Sequence, residues 1–246
     1  MYDQNVYDDE KFFNGYFALR QTKDNYNVLI EQPAMSKLIC AVKDKCVLDL
    51  GCGFGDNCAQ FARMGAKRVV GIDISEKMLS VAKKENSHET VQYVHSRFEN
   101  IDTLNEKFDL VYSSLAFHYT DEFDVLMKKI YAVMNEGATL LFSQEHPIAT
   151  ATIDGNGHYN YDGDEPVSYT FSHYNKSGKR TVEWFVKGVQ KYHRTFAQVI
   201  NAVAQAGLTV TQVVEPTPDE RALSIRPSLR KEFIKPSFLI VKAVKK

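Results

Sequence analysis

Apolar positions in this chain follow two periods. From about residue 46 to residue 145, short apolar runs of strand length alternate with stretches repeating every three to four positions, the pattern of a parallel sheet covered by helices. Val47-Leu48-Asp49-Leu50 forms the first run, and Cys58, Phe61, Ala62 and Gly65 follow at helix spacing. Val69-Val70-Gly71-Ile72-Asp73 forms the second, after which Ser75 is placed to cap a helix carrying Met78, Leu79 and Ala82. Residues 91–94 predict a third strand and residues 108–113 a fourth. Asp121 then opens a helix with Phe123, Leu126, Ile130 and Val133 on its stripe, and Asn135-Glu136-Gly137 turns into a fifth strand over 138–142. Beyond residue 194 the pattern predicts a helix over 195–206 stopped by Gly207, then strands over 208–214 and 238–244 with no helix between them. The chain carries no internal repeat.

The first run leads directly into Gly51-Cys52-Gly53-Phe54-Gly55. Near-continuous apolar residues fit a strand covered on both faces, and glycines after it let backbone approach a ligand where a Cβ would collide. A dinucleotide fingerprint, G-x-G-x-x-G, would need glycine at position 56, which is Asp56 here. The second run ends on Asp73, a carboxylate placed to accept hydrogen bonds from both ribose hydroxyls of an adenosine. The same glycines would also serve a doubly wound domain that needs them only for helix–strand packing.

Strand, G-x-G-x-G turn, helix, strand and terminal acid together resemble the class I S-adenosylmethionine-dependent methyltransferases. The stretch 47–82, including Gly71-Ile72-Asp73-Ile74-Ser75-Glu76-Lys77-Met78-Leu79, looks like the small-molecule and quinone-type subgroup. The resemblance implies an α/β fold: a Rossmann-like doubly wound sheet of seven strands in the order 3-2-1-4-5-7-6, the seventh antiparallel. To that frame this chain adds an N-terminal helical region and an aromatic-rich insertion after strand 5. One domain is expected, with an N-terminal helical cap over 1–44, a cofactor core over 45–148, a substrate cap over 149–194, and a closing helix and strand pair over 195–246.

The resemblance also assigns roles. Gly51, Gly53 and Gly55 hold the methionine end of S-adenosylmethionine, with Asp49 orienting the turn or reaching the ammonium through water. Asp73 takes the ribose and Ile74 one face of the adenine. Many relatives carry an acid after the third strand, but this chain reads His95-Ser96-Arg97-Phe98-Glu99, so the backbone of Arg97 and Phe98 is expected there instead. Ser114 and Leu115 would touch the methionine moiety. S-adenosyl-L-homocysteine would be the product.

Composition narrows the acceptor. A formal net charge of −1 over 246 residues provides no basic field for a nucleic acid, and a small-molecule acceptor is expected. Met1-Tyr2-Asp3-Gln4 does not begin a signal peptide, and no apolar run of about 18 residues could span a bilayer, so the cytoplasm is the expected compartment and no membrane a partner. Cys40, Cys46, Cys52 and Cys58 lack the close pairs of a zinc site, and no metal is expected. Asn175-Lys176-Ser177 matches a glycosylation acceptor by accident of composition.

Two histidines sit where a base for a hydroxyl acceptor belongs: His118 after the fourth strand and His146 after the fifth. Ser113-Ser114-Leu115-Ala116 stands where exocyclic-nitrogen methylases resemble one another in an [N/D]-P-P-[Y/F] motif, and no cysteine nucleophile or acidic magnesium set appears. The insertion is rich in aromatics and histidines, among them Trp184 and His193, with turn signals at Gly155-Asn156-Gly157 and Asn175-Lys176-Ser177-Gly178 that predict one or two hairpins. Those hairpins would fold over the cofactor mouth or form a dimer interface, leaving monomer and homodimer both open. Tyr16 and Tyr119 complete the expected substrate wall, and Arg20 either binds the cofactor carboxylate or forms a surface salt bridge. The expected reaction is methylation of a hydroxyl on an aromatic or other flat metabolite. Carbon or nitrogen methylation, a tRNA or protein substrate, and a binder that transfers nothing are the alternatives.

Overall fold

The computed structural model describes residues 5–153 and 157–246, so the start at residues 1–4 and most of the Gly155-Asn156-Gly157 turn lie outside it. The alternating periods become a seven-stranded sheet. Its strands are β1 (Cys46–Leu50), β2 (Arg68–Asp73), β3 (Val91–His95), β4 (Phe108–Ser114), β5 (Met134–Glu145), β10 (Leu208–Val214) and β11 (Phe238–Lys245). They lie in the order β10-β11-β5-β4-β1-β2-β3, which is 3-2-1-4-5-7-6 when the sheet strands alone are counted. β11 is antiparallel to both neighbours, pairing Val241 with Phe142 on one side and with Val213 on the other.

Burial on both faces explains the apolar runs. One face carries Leu48, Leu50, Val111 and Phe142 against α5 (Phe123–Val133) and α7 (Phe196–Gln205). The other carries Val47, Val69, Leu110 and Leu141 against α2 (Gln32–Leu38) and α3 (Asp56–Arg63). Each such side chain removed from water contributes roughly 1.5–3 kcal/mol. Ser75 caps α4 (Glu76–Glu85) as its position predicts, accepting from the Met78 amide at 3.1 Å.

Three local expectations change. A helix, α8 (Glu220–Ile225), and a 3-10 turn (Pro227–Phe233) stand between β10 and β11 where none was expected. Asp219 caps α8, accepting from the Ala222 amide at 2.8 Å, but of this connection only Ala222, Leu223 and Leu229 reach the apolar cluster with Leu29, Ile30 and Phe238, too few to set a period. β5 starts at Met134 instead of 138, because Gly137, at φ +75, absorbs a bulge between the pairs Phe108–Met134 and Leu110–Thr139. The helix expected to open at Asp121 begins at Phe123.

The insertion after β5 opens with a short helix, α6 (Pro147–Thr150), and continues as two hairpins separate from the main sheet: β6 (His158–Asp162) with β7 (Glu165–Thr170), and β8 (Gly178–Trp184) with β9 (Val186–His193). At the other end of the chain, α1 (Glu10–Gln21) and a π-helical turn (Asn27–Glu31) precede α2. Phe12 of α1 is fully buried and meets Trp184 edge-on at 5.2 Å, fastening the N-terminal region to the second hairpin.

Candidate active site

The glycine turn lies between the ends of β1 and β2. Gly51 and Gly53 have φ of +75 and +53, and a Cβ on Gly51 would stand 2.5 Å from that of Ala116. At Gly53 the same position meets nothing within 4 Å, leaving open space over the turn. Asp73 holds the turn in place, accepting from the Gly53 amide at 2.8 Å and, through its other oxygen, from the Ser75 amide at 2.9 Å. Beneath lies Asp49, fully buried; the Cys58 thiol donates to Oδ2 at 3.4 Å, and Oδ1 has no partner among the described residues. Burial pushes its pKa up to about 7. An orphaned buried carboxylate oxygen below an open glycine turn fits a ligand carrying a positive group.

The N-terminal region covers this cleft. Asp8 accepts from the Ser75 hydroxyl at 2.6 Å and the Lys77 amide at 3.2 Å, while the Asn5 amide donates to the Ile74 carbonyl at 3.0 Å. Phe13, Tyr16 and Phe17 of α1 surround Phe54 of the turn at 5.5–5.9 Å between ring centroids. Arg20 donates to Asn27 at 2.6 Å and to Asp56 at 3.1 Å, and its side chain is 18% exposed. A cavity of about 50 Å³ remains over Gly51, Gly53 and Phe54, walled by Tyr16, Arg20, Ser114 and Leu115.

A second cavity of about 300 Å³ shares Tyr16, Arg20, Asn27 and Leu115 with the first. Tyr7, His118, Tyr119, Glu145 and Trp184 line it. The Tyr7 hydroxyl donates to Tyr119 at 3.1 Å, and burial raises both phenols, so they stay protonated. His118 is 4% exposed; burial, helped by Lys191 and Arg194 and opposed by Glu145, lowers its pKa to about 4. It is therefore a neutral imidazole at ordinary pH.

Gly51, Gly53, Ser114, Leu115, Tyr16, His118, Tyr119 and Trp184 thus gather around two adjoining cavities, with Asp73 bonded to the turn and Asp49 buried against Cys58 of α3. Gly55, at φ +79, stands at the N-cap of α3, and Ile74 is half-buried beside Asp73. His146 and His193 lie apart from these cavities. His146 caps α6 through Nδ1, which accepts from the Ile148 amide at 3.1 Å, and its Nε2 bonds Glu215 at 2.8 Å. His193 donates to the Tyr174 carbonyl at 2.7 Å and meets the Thr150 hydroxyl at 2.8 Å. It lines a larger, polar hollow of about 670 Å³ between α5 and α7, which includes no residue of the glycine turn. Phe98 packs against Phe117 at 5.9 Å, and Arg97 pairs with Glu99 at 3.3 Å. Among the described residues no group of three or more histidines, cysteines or acids is arranged to hold a metal, and no helix is long and apolar enough to cross a membrane.

Two acids escape sequence reasoning. Glu31 is fully buried and accepts from Ser114 at 2.8 Å, Ser143 at 2.5 Å and Asn27 at 2.8 Å, joining the π-helical turn to the ends of β4 and β5. Glu145 lines the cavity of about 300 Å³ beside the glycine turn and pairs with Lys191. Its signal was an apolar strand ending on a carboxylate, as β2 ends on Asp73.

A methyltransferase-domain family model matches residues 48–142. The solved structure of an S-adenosylmethionine-dependent methyltransferase from Mesorhizobium loti superposes with a TM-score of 0.80 at 31% identity, covering 92% of this chain and 100% of that one. A Listeria monocytogenes structure, provisionally given the same assignment, gives 0.81 at 34% identity over 88% and 96% of the two chains. A malonyl-[acyl-carrier protein] O-methyltransferase of Hamiltonella defensa is 34% identical over 102 residues, which span 42% of this chain and only 38% of that protein. With its seven-stranded sheet, its G-x-G-x-G turn and full-length likeness to solved members, the chain belongs to the class I S-adenosylmethionine-dependent methyltransferases and takes S-adenosylmethionine as its cofactor.

Proposed function

We propose that the chain methylates a hydroxyl oxygen of a flat small molecule held between α1 and the β8–β9 hairpin. The observation that carries this reading is the pair of cavities that share Tyr16, Arg20, Asn27 and Leu115, one over the glycine turn and one walled by aromatic rings. Its size, about 300 Å³, and its rings suit a small planar acceptor. The O-methyltransferase among the relatives supports oxygen as the accepting atom.

S-adenosylmethionine supplies an electrophilic methyl group on its sulfonium. Gly51 and Gly53 would give its methionine end close backbone approach, and Asp49, whose Oδ1 has no partner among the described residues, would orient the turn or meet the ammonium through water. Arg20, paired with Asp56, would also meet the carboxylate. Asp73 has lone pairs left for the ribose hydroxyls after accepting two backbone amides. Ile74 and the backbone of Arg97 and Phe98 would take the adenine end, while Ser114 and Leu115 would flank the methionine chain. Neutral His118, whose Nδ1 accepts from the Glu145 amide at 3.5 Å, keeps its proton on Nε2 and would orient the acceptor hydroxyl as a donor. The hydroxyl proton would pass to solvent as the methyl carbon's C–O bond forms and its C–S bond breaks, and Tyr7 and Tyr119 would hold the ring.

Incubation with methyl-labelled S-adenosylmethionine and a panel of phenols tests the proposal, with labelled methyl ether and S-adenosylhomocysteine as the expected products. One-to-one cofactor binding with no product from any acceptor would identify a non-catalytic binder and sink it. Label on carbon, nitrogen or tRNA would move the accepting atom.

A further inference from the structure

Beside the acceptor cavity lies a further chamber of about 440 Å³, and the two share Tyr26, Glu145, Trp184 and Phe238. Three bases line it, Arg180, Lys191 and Lys235, against two acids, Glu145 and Glu183. The three cations are not equivalent. Arg180 is spent on backbone, donating to the carbonyls of Thr150, Ala151, Lys176, Lys179 and Gly178 at 2.7–3.2 Å. Lys191 is paired with Glu145 and lies 5.2 Å from the Trp184 ring.

Lys235 has no such partner. Its ammonium sits 5.3 Å from the Tyr169 ring and 6.0 Å from that of Tyr159, with no hydrogen bond or ion pair to any described residue. Nearby Glu232 turns its carboxylate to Ser237, accepting from the amide at 2.8 Å and the hydroxyl at 2.9 Å. Lys231, 5.5 Å from the Tyr159 ring, adds more positive charge. Burial draws the Lys235 pKa downward, the response of an ammonium removed from water without full compensation. Aromatic faces soften that cost and an incoming anion would cancel it.

We propose that this chamber receives an anionic oxyacid group, carboxylate or phosphate, carried by the methyl acceptor: the anion rests on Lys235 while the ring that bears the hydroxyl lies against Trp184. The proposal builds on the hydroxyl reading and names the substrate class within it, a flat hydroxy acid. Glu145, neutralised by Lys191, then serves as the wall between the two halves of the substrate.

Trp184 is the chain's only tryptophan and borders both cavities, so its fluorescence reports occupancy without turnover. Protein loaded with S-adenosylhomocysteine would be titrated with para-hydroxyphenylpropanoate, its primary amide, para-hydroxyphenethyl phosphate and para-hydroxyphenethylamine. The anions should bind about tenfold or more tighter than the amide, which corresponds to one unscreened charge contact, and the amine weakest. The tighter anion of the two identifies carboxylate or phosphate. Lys235→Met should bring the anions to the level of the amide, Lys235→Arg should keep the preference, and Lys187→Met, at an exposed position, should not alter it. Equal binding of acid and amide, no Trp184 response to either anion, or a preference that survives Lys235→Met in a folded protein would overturn the proposal. Anions that bind without being methylated would retain the chamber and sink the hydroxyl reading. Neutral phenols that bind and react as well as the acids would do the reverse.

Discussion

The buried imidazole of His118 ties stability to pH in a way that a single substitution isolates. In the folded protein its pKa is about 4, against about 6.5 for an exposed histidine. Between these values the unfolded chain holds a proton that the folded chain does not, so stability falls as pH drops through the window and is unaffected above it. Each pH unit inside the window removes about 1.4 kcal/mol. Relative to pH 7, the loss comes to about 2 kcal/mol at pH 5 and about 3 kcal/mol at pH 4. His118→Gln removes the titration while keeping a polar side chain of similar size. Urea unfolding of both proteins across this range should therefore show wild type losing those amounts relative to the variant. Every other titrating group, including Asp49, Glu145 and His146, is common to the two and cancels to first order. A difference constant to within about 0.5 kcal/mol from pH 7 to pH 4 would refute the reasoning, as would an imidazole midpoint near 6.5 by NMR.

Asp73→Ala should weaken S-adenosylmethionine binding by about a hundredfold in calorimetry, the loss of two charge-assisted hydrogen bonds, while circular dichroism shows the fold retained. The two turn glycines should separate in their effects. Gly51→Ala, whose Cβ would meet Ala116 at 2.5 Å, should cost about 2 kcal/mol and lower Tm by about 4–8 °C. Gly53→Ala has open space, so it should cost only about 1 kcal/mol yet still abolish cofactor binding, since the new methyl fills the room left for the ligand. Glu31→Ala strands the hydroxyls of Ser114 and Ser143 and the amide of Asn27, and should cost about 2–4 kcal/mol in urea unfolding.

The sheet was legible because strands buried on two faces read as unbroken apolar runs, and the turn because Gly51, Gly53 and Asp73 act within one strand–turn–helix–strand unit. Contacts between distant residues were not. Glu31 meets Ser143 across 112 positions and Glu145 meets Lys191 across 46, and no local period encodes either pair. The helix between β10 and β11 escaped for a different reason: only Ala222, Leu223 and Leu229 of α8 and the following turn join or touch the apolar cluster, so the amphipathic pattern never accumulates. Adjacency could also not tell Glu145 from His146. The strand ends at Glu145, which lines both cavities, while His146 spends its nitrogens on Ile148 and Glu215.

The fastening of Asn5 and Asp8 to Ile74, Ser75 and Lys77 has a kinetic consequence. With only about 50 Å³ free over the glycine turn, spent donor and fresh donor cannot trade places while those bonds hold. Each catalytic cycle therefore includes one unlatching of the chain's own N-terminal segment, whose frequency caps turnover however fast the methyl group moves.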